Sequence, residues 1–151
     1  MLFRSLLMGG QEFERSLDAF PLEFGAILAD YLVVHGPDPF EGLRVDSHDL
    51  RRACEVQARS HLLHLRQGYV EAAGRSDALA ELIGHSAPSM AALLRNLGRL
   101  SGPAPADATL ARVAQMGGEA SVSGDEARRL FSDYLRAVEH LTATVDRWSE
   151  S

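Results

Sequence analysis

The chain has 151 residues, 46% of them hydrophobic and 24% charged, enough for one ordinary domain, residues 1–151, with a buried core. No apolar run approaches the roughly 20 residues of a membrane span, and "MLFRSLLMGG" has neither the apolar length nor the cleavage site of a secretory signal, so no membrane association and a cytoplasmic location are expected. The formal net charge is −6 with all fifteen basic residues arginine, which argues against general attraction to nucleic acid unless the arginines cluster on one face.

In chain order, "QEFERSLDAF" reads as a short helix, "PLEF" as extended, and "GAILADYLVV" as a further short helix stopped by "HGPDP", where Gly36 and two prolines forbid continuation. The longest helix is expected from "VDSHDL", capped by Asp46 or Ser47, to Gly74. At 3.6 residues per turn Leu50, Cys54, Ala58, Leu62, Leu65, Tyr69 and Ala72 form its apolar stripe. Cys54 has no cysteine to pair with and sits on that stripe as a buried structural thiol. Val56, Leu63 and Val70 recur every seven residues on roughly the opposite side, beside Arg52, Arg59 and Arg66 in the same spacing. A helix apolar on two sides is either sandwiched within its own chain, here under the first forty residues, or presents the second side to another subunit.

Ser76 opens the next helix, with a break expected near Pro88 and a leucine-rich second half, Leu93, Leu94, Leu97 and Leu100. "SGPAPADA", residues 101–108, is a loop. The last helix begins with the capping box "SGDE", Ser123 to Glu126, and runs to about Trp148 with Leu130, Phe131, Tyr134, Val138, Leu141, Val145 and Trp148 inward. Three substantial helices with antiparallel-type connections predict an all-α, up-and-down bundle preceded by short extended N-terminal segments.

The stretches "ERSLDAFPLEF", "HGPDPF" and "LLHLRQGY" carry a resemblance over residues 11–148. The chain resembles the C-terminal half of a bacterial family of nucleotidyltransferase-like proteins, in which a small α/β catalytic domain precedes a helical bundle of the substrate-binding or HEPN-like kind. The resemblance implies that residues 1–24 are the remnant of a preceding α/β domain and that Glu23 descends from a third acid of its last strand. Nucleotidyl transfer needs a Gly-Ser turn for the phosphates and paired carboxylates for the metal. Neither occurs here: "GRSD" at 74–77 lies between helices, and Leu79 stands two positions beyond Asp77. A non-catalytic interaction or substrate-binding module is therefore expected, with no cofactor, pairing with a second copy or with a separately encoded nucleotidyltransferase-like domain.

Other constellations offer rival chemistry. Arg59 and His64 match the R-x₄-H spacing of HEPN-type ribonucleases, in which an arginine and a histidine act on an RNA phosphate and the 2′-hydroxyl; such a short match carries little weight against an ordinary helix histidine. His48, His61 and His64 point different ways on one helix, so no metal site is expected. Arg52, Arg59 and Arg66 read as a solvated face with Glu55 as counter-ion, or as an anion or partner surface rimming Val56, Leu63 and Val70.

Overall fold

A computed structural model describes residues 7–101, 107–116 and 122–148, and every regular element among them is a helix. The chain divides into two units, Met1–Ala53 and Cys54–Ser151. In the first, α1 (Gly10–Arg15) and α2 (Pro21–Ala29) are short. Their core is aromatic: the ring of Phe13 lies 4.5 Å from those of both Phe24 and Phe40, and Tyr31 packs edge-on to Phe40 at 5.0 Å. Tyr31 donates from its hydroxyl to Asp38 at 2.7 Å, which ties the turn to that cluster.

Two expectations are corrected here. "PLEF" is the first turn of α2 rather than extended chain. The fixed φ of proline suits the first helical position, where its missing N–H costs nothing, and helical spacing buries Pro21 and Phe24 on one side. The helix expected to continue through "DYLVV" ends at Ala29, where Asp30 turns extended at φ −151° and ψ 91°. Residues 31–34 are non-helical, and Leu32 and Val34 are more exposed than Tyr31 and Val33. That two-residue alternation is the period β-branched residues favour.

Helix α3 (Ser47–Ala72) starts as expected at Asp46, whose side chain accepts from the His48 N–H at 2.7 Å and whose carbonyl accepts from Leu50. It ends in left-handed backbone at Ala73 and Gly74, φ 48° and 77°, and turns directly into α4 (Ser76–Ser101). The break expected at Pro88 does not occur, and α4 is continuous through it. An interior proline costs about 3 kcal/mol. One unbroken helix puts Ile83, Met90, Leu93 and Leu97 on a single fully buried face, and four such side chains at roughly 1.5–3 kcal/mol each outweigh that cost. Ser86 also donates its hydroxyl to the Ile83 carbonyl at 2.8 Å in the preceding turn.

A further helix, α5 (Ala108–Gln115), lies in a stretch for which no element was expected. Asp107 caps it by accepting from the Thr109 and Leu110 N–H groups, and Leu110 and Val113 are buried. Most of the 101–108 loop lies outside the described residues. Helix α6 (Gly124–Trp148) buries the inward positions expected of it as far as Val145, while Trp148, expected on the same face, is half-buried. Glu126 pairs with Arg112 of α5 and lies 3.5 Å from the Ser123 hydroxyl.

The contacts fix the directions of these four helices. Residues 59, 66 and 69 of α3 meet residues 146, 139 and 131 of α6 in reverse order. His61 and Gly68 of α3 meet Ser89 and Leu82 of α4, also in reverse. Arg112 of α5 meets Glu126 of α6 while Asp107, just before α5, shares a groove with Arg136 and His140, again in reverse. Direction therefore alternates from α3 to α6, the up-and-down arrangement expected. Gly68 sets how closely α3 and α4 approach, because a Cβ there would lie 2.7 Å from the Leu82 side chain.

Candidate functional site: the two faces of helix α3

The buried side of α3 carries Cys54, Ala58, His61, Leu65 and Ala72. Leu62 and Tyr69, expected on the core stripe, are half-buried and exposed respectively, and Tyr69 instead stacks on Phe131 at 5.4 Å with rings nearly parallel. The missed core residue is His61. It was legible in the spacing, since 54, 58, 61 and 65 follow the helical period without interruption; only its polar chemistry argued against placing it inside.

His61 is held by three helices. Its Nε2 lies 2.6 Å from the fully buried Tyr134 hydroxyl of α6, and its Nδ1 lies 3.4 Å from the Ser89 hydroxyl of α4. Ser86 of α4 reaches the same Tyr134 hydroxyl at 3.2 Å. Burial pushes His61 down to about 4, with His64 adding to the shift, and pushes Tyr134 up to about 12. Ser89 is exposed beside a histidine that a third residue orients, which has the outline of a nucleophile, base and orienter. Its chemistry does not follow through. A base so depressed takes up a proton weakly, the orienter is a neutral phenol rather than a carboxylate, and Ser89 sits inside a continuous helix whose backbone donors are already spent, so nothing there would hold an oxyanion. The network satisfies buried polar groups and ties α3, α4 and α6 in one register. Cys54, on the same face, is pushed up to about 11 by burial, so its thiol is unreactive at neutral pH.

The outer side is different. Val56 is 61% exposed, Leu63 65% and Val70 76%. Beside them two of the three arginines of the expected line are engaged with acids. Arg59 pairs with Glu55 at 2.7 Å and with Asp146 of α6 at 3.1 Å, and Arg66 pairs with Glu139 of α6 at 2.8 Å. Arg52 is exposed. Arg59 and Arg66 thus close the α3–α6 seam and rim the aliphatic strip.

Chain comparison finds no relative: no family model, no curated protein and no solved structure matches.

The remaining candidates fall elsewhere. His64 is exposed while Arg59 is occupied by its two carboxylates. Glu23 is an exposed acid in the first turn of α2, where the positive end of the helix dipole favours it. His61 is buried and His64 exposed, so those two do not converge. Asp46, His48 and Asp49 place one ligand atom each within 4.8 Å of one another at the start of α3. One Asp46 oxygen already serves as the helix cap, and the grouping is that of an ordinary acidic first turn. Two shallow open grooves, one of about 230 Å³ beside Gly68, Arg75 and His85 and one of about 300 Å³ beside Asp107, Arg136 and His140, are too open to enclose a ligand. No helix among the described residues is long and apolar enough to cross a membrane.

Proposed function

We propose that this chain is a non-catalytic helical interaction module whose working surface is the outer face of α3. The observation that carries this reading is the exposure of Val56, Leu63 and Val70, three aliphatic side chains in seven-residue register on a helix whose inner side is packed and whose α6 edge is ion-paired. Scattered exposed aliphatics are ordinary, but a straight line of them along one rigid helix is the pattern of a helix-docking surface. Arg59 and Arg66, fixed by Asp146 and Glu139, supply the polar rim that sets orientation more than affinity. The resemblance to the helical half of nucleotidyltransferase-like proteins adds one class of partner, a separately encoded catalytic domain, for a module that itself lacks the Gly-Ser turn and paired carboxylates.

A photo-reactive phenylalanine analogue placed at position 63, and for comparison at the exposed Glu81 of α4, tests the surface in cells. Protein adducts at 63 well above those at 81 are expected; equal yields at the two positions overturn the reading. Turnover of a nucleoside triphosphate with Mg²⁺ that vanished in Glu23→Gln would show a catalytic chain instead.

A further inference from the structure

We propose that the partner is a second copy of this chain, docked antiparallel along α3 on a two-fold axis that passes beside Leu63. This pairing rests on the outer face of α3 being an interface, and it names what covers it.

Val56 lies seven residues before Leu63 and Val70 seven after it, all three exposed. An α-helix turned end over end about Leu63 therefore lays Leu63 on the partner subunit's Leu63 and Val56 on the partner subunit's Val70. Seven residues fall only about 20° short of two whole turns, so the three side chains stay on one side over that length. A single self-complementary patch is what a two-fold dimer requires.

Charge permits this register. On the α6 side each copy carries two guanidinium groups, Arg59 and Arg66, among three carboxylates, Glu55, Asp146 and Glu139. In the antiparallel arrangement Arg59, four residues before the axis, comes level with the partner subunit's Arg66, three residues after it. Each arrives with its own acid, so the two ion pairs stand side by side and can exchange partners instead of repelling. The opposite edge offers Ser60, His64 and Gln67, all exposed and none of them a carboxylate or guanidinium.

Size sets the strength. Fourteen residues of helix span about 21 Å, and a helix is about 10 Å across, so the contact covers a few hundred Å² per copy. A standard stable interface buries about 800 Å² per partner. The dimer is accordingly weak, forming in the micromolar range, and the low area favours a partner that is always present at the chain's own concentration.

Single cysteines introduced on the strip read out the register, because the native Cys54 is buried and unreactive. Leu63→Cys should crosslink to itself on oxidation. Val56→Cys and Val70→Cys should each stay monomeric alone and crosslink when mixed. Self-crosslinking of Val56→Cys would mean a parallel pair, and a mixture that fails to crosslink while Leu63→Cys succeeds overturns the axis position. Sedimentation velocity from low to high micromolar should show a monomer–dimer equilibrium, weakened more than about tenfold by Leu63→Glu with the melting temperature at low concentration unchanged. Val70→Lys serves as the second variant should Leu63→Glu lose its fold. A chain that sediments as a monomer throughout overturns the dimer. If adducts to another protein still form at position 63, the interface reading survives and only the choice of partner fails.

Discussion

The two faces of α3 invert the ordinary distribution of side chains. Its inner face buries a histidine, His61, at the junction of three helices, while its outer face leaves Val56, Leu63 and Val70 in solvent. Polarity alone would place these residues the other way round. An imidazole is tolerable inside when both ring nitrogens have partners, as Tyr134 and Ser89 provide. Aliphatics outside cost the isolated chain little and become useful when something covers them. The inner face therefore fixes the register of the bundle, and the outer one is the exposed strip proposed above as a docking surface.

The comparison breaks most sharply at two leucines two residues apart. Leu65 is almost fully buried and Leu63 mostly exposed. Leu65→Ala should cost about 2–5 kcal/mol and Leu63→Ala less than about 0.5 kcal/mol, measured by denaturant unfolding at low protein concentration. Equal costs would mean that both faces serve the core.

Acid sharpens the difference next. His61 stands at about 4 in the folded chain against an ordinary value of 6.5. The unfolded chain therefore takes up this proton first as pH falls. The stability from keeping His61 neutral is whole above pH 6.5, declines between 6.5 and 4, and is gone below, a loss on the order of 3 kcal/mol. Unfolding free energies for the chain and for His61→Gln across that range should differ in slope by one proton; parallel curves would show that His61 titrates normally.

The smallest of the three effects isolates the hydrogen bond itself. Tyr134→Phe keeps the ring in place and removes the hydroxyl that meets His61 Nε2 and Ser86, which should destabilise by about 1–3 kcal/mol. It should also raise the ellipticity change of none of the helices, since packing is retained. A neutral result would mean that water replaces the phenol hydroxyl.

Much of this architecture was legible in the residues. Asp46, the buried Leu50, Cys54, Ala58, Leu65 and Ala72 of the expected α3 stripe and the inward residues of α6 as far as Val145 each follow from local chemistry, because capping and amphipathic period act within one or two turns. Helix α5 had a readable signal, Asp107 as cap with Leu110 and Val113 three apart, but eight residues is too short for periodicity to stand out from a loop. Pro88 and "PLEF" misled because proline's local effect depends on position: harmless at the first turn of α2, and outweighed inside α4 by the burial of a continuous face.

By itself the amino-acid order determined where the long helices run and that α3 has two apolar sides, since both are consequences of spacing along one chain. Only the tertiary structure decided how the inner side locks into the bundle and that the second side stays exposed. Both fall to His61, whose two ring nitrogens find hydroxyls on α4 and α6, 28 and 73 residues further along, and to Arg59 and Arg66, whose acids on α6 hold the aliphatic strip outward. Such partners are neighbours only after the helices have packed, and no local pattern in α3 specifies them.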